Sequence, residues 1–180
     1  MSTTPAPTDD PKTTVRAYYN ALRNGDPLES FFLKDESTVK FGISERLFGY
    51  EAVANALQEQ TETTEGWTVE SSNLTVTEHG DRGCAMFGDE VTMAWTDSSS
   101  GARRGFRTRW SGTLIRLPVA DAEREGEGEV DRSEEGSGGV DRSEEGSGGV
   151  DGDGGSETEH APDESEWVFG SMHVSTDDEV

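Results

Sequence analysis

One cysteine, three lysines and no long apolar run set the first limits on this chain of 180 residues. A single thiol, Cys84, excludes an internal disulfide and a cysteine-built metal cluster, so a reducing compartment is expected. Nothing approaches the ~20 consecutive apolar residues of a transmembrane helix, and the polar segment 1–11 does not read as a signal sequence. A soluble, cytoplasmic protein is the expectation. Cys84 has neither a helix start nor a neighbouring base in its segment, and reads as a small buried residue.

Lysine occurs only at Lys12, Lys34 and Lys40, while arginine supplies the other bases. The net charge is −23, but −14 of it lies in the segment 118–164, against −5 in 1–117 and −4 in 165–180. Low lysine with abundant Asp, Glu, Thr and Gly suggests a salt-accumulating halophile, in which acidic surface maintains solubility; an acidic linker on an ordinary protein is the alternative. Neither supports binding to nucleic acid, because phosphate neutralisation needs a basic surface.

Along the chain, residues 1–10 are rich in Thr and Pro and are expected to be disordered. Val15, Tyr18, Tyr19 and Leu22 lie at i, i+3, i+4 and i+7, one face of a helix closed by Asn24-Gly25. Asp26-Pro27-Leu28-Glu29 predicts a second, short helix, with Asp26 as its cap. Thr38–Ile43 predicts a strand with Val39, Phe41 and Ile43 on one side, and Tyr50–Thr61 a third helix. Three long β-type runs follow, Trp67–Glu78, Cys84–Trp95 and Arg103–Leu117, joined by turn-rich sequence and expected to pair antiparallel.

Residues 118–164 hold half of the 22 glycines and a ten-residue repeat, Val130-DRSEEGSGG-Val140-DRSEEGSGG-Val150. With one apolar residue per copy and no EF-hand ligand spacing, the repeat reads as a solvated, disordered insertion rather than a solenoid or calcium site. Beyond it lies a final strand, Glu166–Ser175, in which Trp167, Phe169, Ser171, His173 and Ser175 alternate with Val168, Gly170, Met172 and Val174. Both sets are largely apolar, so an inner strand is predicted, and the polar end of the first set suggests a pocket wall. The expected organisation is a disordered 1–10, one domain over 11–175 interrupted by 118–164, and an acidic tail, 176–180.

The order helix, short helix, strand, helix, then four long strands indicates an α+β domain with helices against one face of a sheet. The runs VRAYYNALRNGDPLESFF, FGYEAVANAL, RTRWSGTLIRL and WVFGSMHVS, with their Tyr-x-Ala-x-x-x-Gly-Asp helix end and closing Trp…His-x-Ser strand, resemble the SnoaL-like group of the nuclear-transport-factor-2-like superfamily. The resemblance covers 12–117 and 165–175. It implies a cone-shaped, curved antiparallel sheet packed on three N-terminal helices, a pocket at the open end, and dimers formed through the outer sheet face. That fold hosts isomerases, cyclases, dehydratases, binding subunits and association modules, so it does not fix the function.

His173 is the leading site candidate, as acid, base or ligand donor; the alternative is a half-buried histidine bonded to a backbone carbonyl. Arg109, beside Ser111 and Thr113, is a candidate anchor for an anionic ligand. Asp89 stands among Ala85, Phe87, Val91 and Met93 and suits a general base or acid, unless a bulge at Gly88 turns Glu90 inward instead. Tyr19, Trp95 and Trp110 either line the pocket or pack the core. No metal-ligand spacing or phosphate-cradling glycine loop occurs, so cofactor-free chemistry is expected. Two functions remain: a small-molecule pocket that handles protons through His173 and Asp89, or a dimerising association module with a vestigial pocket.

Overall fold

The first helix, α1 (Pro11–Asn24), has a stop and a start written into it. The Asp10 carboxylate accepts from the Thr13 amide at 2.6 Å, Pro11 opens the helix, and Gly25 takes a left-handed φ of 69° to close it. The structure is a computed structural model and describes residues 8–118 and 165–179, which belong to one compact unit. The expectations for residues 1–7, the acidic repeat and Val180 lie outside the described residues. Residues 8–10, expected to be disordered, are held by the buried Trp167: its amide donates to Thr8 O at 2.9 Å and its indole to Asp9 O at 3.2 Å. A buried indole needs an acceptor, and the chain before α1 supplies it.

The predicted second helix is a correction. Only a single 3-10 turn, Glu29–Phe31, forms there, and Asp26 does not cap it, so the described residues contain two α-helices rather than three. Leu28, Phe31 and Phe32 are all nearly inaccessible, and the turn delivers them to the core while Phe32 bridges Phe169 in the sheet. The Leu33 amide then donates to Phe169 O. Burial on several sides, together with pairing to a strand, outweighs the local helix signal.

A seven-stranded sheet follows from β1 (Val39–Phe41), β2 (Arg46–Phe48), β3 (Thr64–Ser71), β4 (Thr75–His79), β5 (Cys84–Asp97), β6 (Arg103–Pro118) and β7 (Ser165–Glu179), with α2 (Tyr50–Thr63) between β2 and β3. The order is β2-β1-β7-β6-β5-β3, with β4 also on β5; every pair is antiparallel except β1 and β7. The last strand is internal, as the sequence predicts, and it runs on to Glu179 rather than ending at Ser175. The run Trp67–Glu78 divides at Ser72–Leu74. There the Ser72 amide donates to Glu90 O and the Asn73 amide to the Asp89 carboxylate, both 2.9–3.0 Å.

One irregularity decides which residues face the core. Leu114 pairs with Phe169, but Thr113 pairs with Ser171, leaving Gly170 as an extra residue in β7. Before this bulge Trp167 and Phe169 point inward; after it Met172 and Val174 do, while His173 is exposed and Ser171 and Ser175 are half-buried. The even alternation read from the sequence is thus broken at Gly170. The outer face of β7 is also solvent-facing along this part, not covered as expected.

At the centre of the core is Tyr18, with ring centroids of Phe31, Phe32, Phe169 and Trp110 5.3–6.2 Å away, mostly edge-on. Val53 and Leu57 of α2 are fully buried in the same core cluster.

Candidate functional site

The concave side of the sheet holds a cavity of about 500 Å³. Its inner wall is Tyr18, Met93, Trp110 and Val174, and Trp67, Trp95 and Phe106 also line it. Those last three rings stack: Trp67 lies 4.7 Å from Trp95 at 18°, and Trp95 lies 5.4 Å from Phe106 at 28°. The Trp67 indole donates to Thr64 Oγ1, and the Trp110 indole to Thr108 Oγ1, so the aromatic walls are held in fixed orientations.

The polar groups come from an unexpected place. Lys40 is 5% exposed and lines the cavity, where its ammonium is paired with the Glu45 carboxylate. The turn from Gly42 to Glu45, closed by the Gly42 amide donating to Glu45 O at 3.1 Å, folds that carboxylate back over β1. Gly42 makes room for it, since a β-carbon at residue 42 would stand 2.6 Å from Glu45 Cγ. Tyr18 is the third group. Burial raises its pKa above the ordinary tyrosine value, and the nearby Glu45 charge raises it further, so the phenol stays protonated at neutral pH. Arg104, Gln60 and Thr64 also line the cavity.

Sequence reasoning grouped Val39, Phe41 and Ile43 on one side of this strand and singled out neither Lys40 nor Glu45. Val39 and Phe41 are in fact half-exposed, and Thr38 and Lys40 are buried. The cause is register: β1 lies parallel to β7 with Lys40 opposite Met172, which the Gly170 bulge turns inward. The available signal was Lys40-Phe-Gly-Ile-Ser-Glu45, opposite charges across a glycine-containing turn.

Of the six residues singled out from the sequence, Trp95 and Trp110 line the cavity. Asp89 and Tyr19 are buried and joined to each other: the Tyr19 hydroxyl donates to Asp89 Oδ2 at 3.1 Å, and Asp89 Oδ1 accepts from the Asn73 amide at 3.0 Å. No bulge forms at Gly88, so Asp89 faces inward and Glu90 outward. Tyr19 stacks edge-on against Trp110 at 5.4 Å, which places this pair beside the cavity wall rather than in it. Burial, then the Asp89 charge and hydrogen bond, raise the Tyr19 pKa.

His173 and Arg109 are not brought to the cavity. Both are exposed and lie diagonally on neighbouring strands, Arg109 opposite Ser175 and His173 opposite Ser111. The expectation that His173 shares a face with Trp167 and Phe169 is corrected by the Gly170 bulge. His173 instead meets Phe41 edge-on at 6.1 Å and borders an outer cleft against the Gly42–Arg46 turn. Cys84 is half-buried at the end of β5 rather than fully buried.

Among the described residues no group of three or more His, Cys, Asp and Glu could hold a metal ion, and no helix is long and apolar enough to cross a membrane.

A family model described as a SnoaL-like domain matches residues 12–118. No curated protein sequence matches. Among solved structures, the chain is similar to a nuclear-transport-factor-2-like superfamily protein from Salmonella enterica, with 11% identity over 92% of this chain and 87% of that one and a TM-score of 0.59. It is also similar to a ketosteroid isomerase-like protein from Erwinia carotovora atroseptica, with 12% identity, 93% and 93% coverage and a TM-score of 0.54. A third, a nuclear-transport-factor-2-like protein from Rhodospirillum rubrum, shows 11% identity, 93% and 98% coverage and a TM-score of 0.54. At these identities the likeness is one of fold: a curved open sheet with few helices.

Proposed function

This chain belongs to the SnoaL-like domain family, and we propose that its concave cavity binds a flat, mainly apolar organic molecule carrying a carbonyl or acidic oxygen. The chemistry is cofactor-free proton transfer of the isomerase, cyclase or dehydratase type. The observation that carries this reading is the Lys40–Glu45 pair set beside Tyr18 in a cavity otherwise walled by aromatic rings. Stacked Trp67, Trp95 and Phe106 suit a planar ring system. Glu45 takes a proton from carbon, and the Tyr18 phenol and Lys40 ammonium stabilise the oxyanion that develops. The similarity to a ketosteroid isomerase-like protein supports the reaction class through fold alone. In this reading Asp89 is a positioning residue, which holds Tyr19 and with it helix α1, while His173 and Arg109 belong to the outer surface.

The test is a thermal-shift and tryptophan-fluorescence screen of planar ketones and aromatic acids. A ligand at 100 times its Kd adds about 2.7 kcal/mol of stability. Glu45→Gln should abolish turnover of a hit while leaving its fluorescence response. No hit that shifts both signals would reject the reading.

A second reading, an association module acting as a homodimer, has its own observation. Phe48 is 66% exposed and Met86 52%, and the register lines up Phe48, Val39, Ser171, Thr113 and Met86 across five neighbouring strands of the convex face. Sedimentation of the native chain against Phe48→Asp distinguishes a dimer from a monomer. The acid-rich, lysine-poor composition supports a salt-rich cytoplasm as the working environment, for which a flat stability profile from low to molar potassium chloride would be contrary evidence.

A further inference from the structure

Lysine is rare in this chain, and its three copies are not placed alike. Lys12 and Lys34 are exposed, whereas Lys40 is buried in the wall of the cavity. A structural ion pair at a turn does not need its amine in an aromatic-walled cavity, and arginine would hold a carboxylate more firmly through two parallel bonds. Lysine differs from arginine in one chemical respect that matters here: its amine, once deprotonated, is a nucleophile toward carbonyl carbon. The Lys40 ammonium has a base in contact with it, Glu45, whose side chain is 36% exposed and so reaches both the amine and water. Gly42 is what permits that contact, because any β-carbon there would push Glu45 aside.

We infer that Lys40 is a covalent site: its amine condenses with an aromatic aldehyde or ketone held against the Trp67–Trp95–Phe106 stack, forming an imine. The inference rests on the cavity being a ligand site, as proposed above, and adds the substrate class and the bonded atom. The step balances without any oxidant or reductant. Glu45 accepts a proton from the ammonium, and the free amine adds to the carbonyl carbon, forming the C–N bond. The nitrogen, cationic once the C–N bond has formed, passes a second proton to the former carbonyl oxygen, the proton held by Glu45 follows it, the C–O bond breaks, and water leaves through the open side. The product is the cationic imine, which draws electrons from the adjacent carbon; where the substrate is an aryl alkyl ketone, that carbon carries hydrogen and loses a proton more easily. Glu45 is then already in place as the base for that removal.

The experiment exposes the full chain to 2-naphthaldehyde with sodium cyanoborohydride, which reduces imines to stable amines, and maps the adducts by peptide mass spectrometry. Random labelling favours exposed amines, so Lys12 and Lys34 serve as internal references. The expected result is more adduct on Lys40 than on Lys12 and Lys34 together, loss of that excess in Lys40→Arg, and its slower appearance in Glu45→Gln. Labelling that follows exposure, with Lys40 modified last or not at all, overturns the inference. Tryptophan quenching by 2-naphthaldehyde without reductant separates the two readings. Quenching with no Lys40 adduct leaves the cavity as a ligand site and removes the imine; neither quenching nor adduct removes both. Circular dichroism of Lys40→Arg and Glu45→Gln checks that each is folded, and Gly42→Ala, which displaces the Glu45 carboxylate without touching either charge, should reproduce the slower labelling of Glu45→Gln. Undiminished labelling in both Glu45→Gln and Gly42→Ala would overturn the role of Glu45 in the step.

Discussion

Gly112 and Ser171 approach so closely across β6 and β7 that a β-carbon on residue 112 would stand 2.1 Å from the Ser171 carbonyl oxygen and 2.9 Å from the Phe87 ring. The contact sits beside the Gly170 bulge, where β7 shifts by one residue against β6. The bulge pushes the β7 backbone toward β6, and only a residue without a side chain fits beneath it.

Gly112→Ala should therefore destabilise the protein by about 1–3 kcal/mol, the usual cost of overpacking a filled interior. Denaturant unfolding measures it. A loss below about 0.5 kcal/mol, within the range of surface substitutions, would mean that the strand relaxes freely and that the bulge is not locked by this contact.

The bulge also fixes what His173→Ala does. With His173 exposed and its ring set edge-on to Phe41, the substitution should change stability by less than about 0.5 kcal/mol. Phe169→Ala, four residues earlier and fully buried among Tyr18, Phe32 and Phe87, should cost about 3–5 kcal/mol. Comparable losses in the two variants would place His173 back in the core.

How much of this was legible in the sequence depended on whether a pattern was local. The helix face of Val15, Tyr18, Tyr19 and Leu22 and the alternation from Ala85 to Met93 appear as read, because each is set by residues within a few positions of one another. The short second helix failed because Phe31 and Phe32 are claimed by contacts with Tyr18 and Phe169, distant in sequence. The inward side of β7 failed because one extra residue reverses every side chain beyond it. β1 pairs in parallel with β7 beyond this extra residue, so Lys40, opposite the inward Met172, occupies the cavity with no local pattern to mark it. Gly170 was visible in the sequence; its bulge lies against Gly112, nearly sixty positions away, and no local pattern joins the two.

Asp89 and Tyr19 form a buried polar pair, with the Asn73 amide as the second donor to the carboxylate. Asp89→Ala strands the buried Tyr19 hydroxyl, for which about 1–3 kcal/mol is the scale, and the partly buried Asn73 amide, which water can reach, whereas Tyr19→Phe removes one bond, worth about 1 kcal/mol. Because the two groups touch, the double variant should be less destabilised than the sum of the singles. Strict additivity by denaturant unfolding would show that no hydrogen bond couples them.

Alkaline pH provides the last test, since two of the three tyrosines have raised pKa values. For Tyr18 the cause is burial and then the Glu45 charge; for Tyr19 it is burial and then the Asp89 charge. A phenol whose folded pKa lies above its unfolded value of about 10 contributes stability that is complete below pH ~10 and is lost as the pH rises above it, because the unfolded chain releases its proton first. In the Tyr50→Phe variant, which leaves only these two, phenolate absorbance should therefore stay flat past pH ~10 and rise together with the loss of the folded circular dichroism signal. Asp89→Asn removes the neighbouring charge, so Tyr19 should ionise at lower pH in that variant, while Tyr18, whose charged neighbour is Glu45, should not follow. Phenolate appearing near pH 10 in a still-folded Tyr50→Phe protein would show that the interior around α1 is open to water, and the Asp89–Tyr19 bond could not then be a buried one.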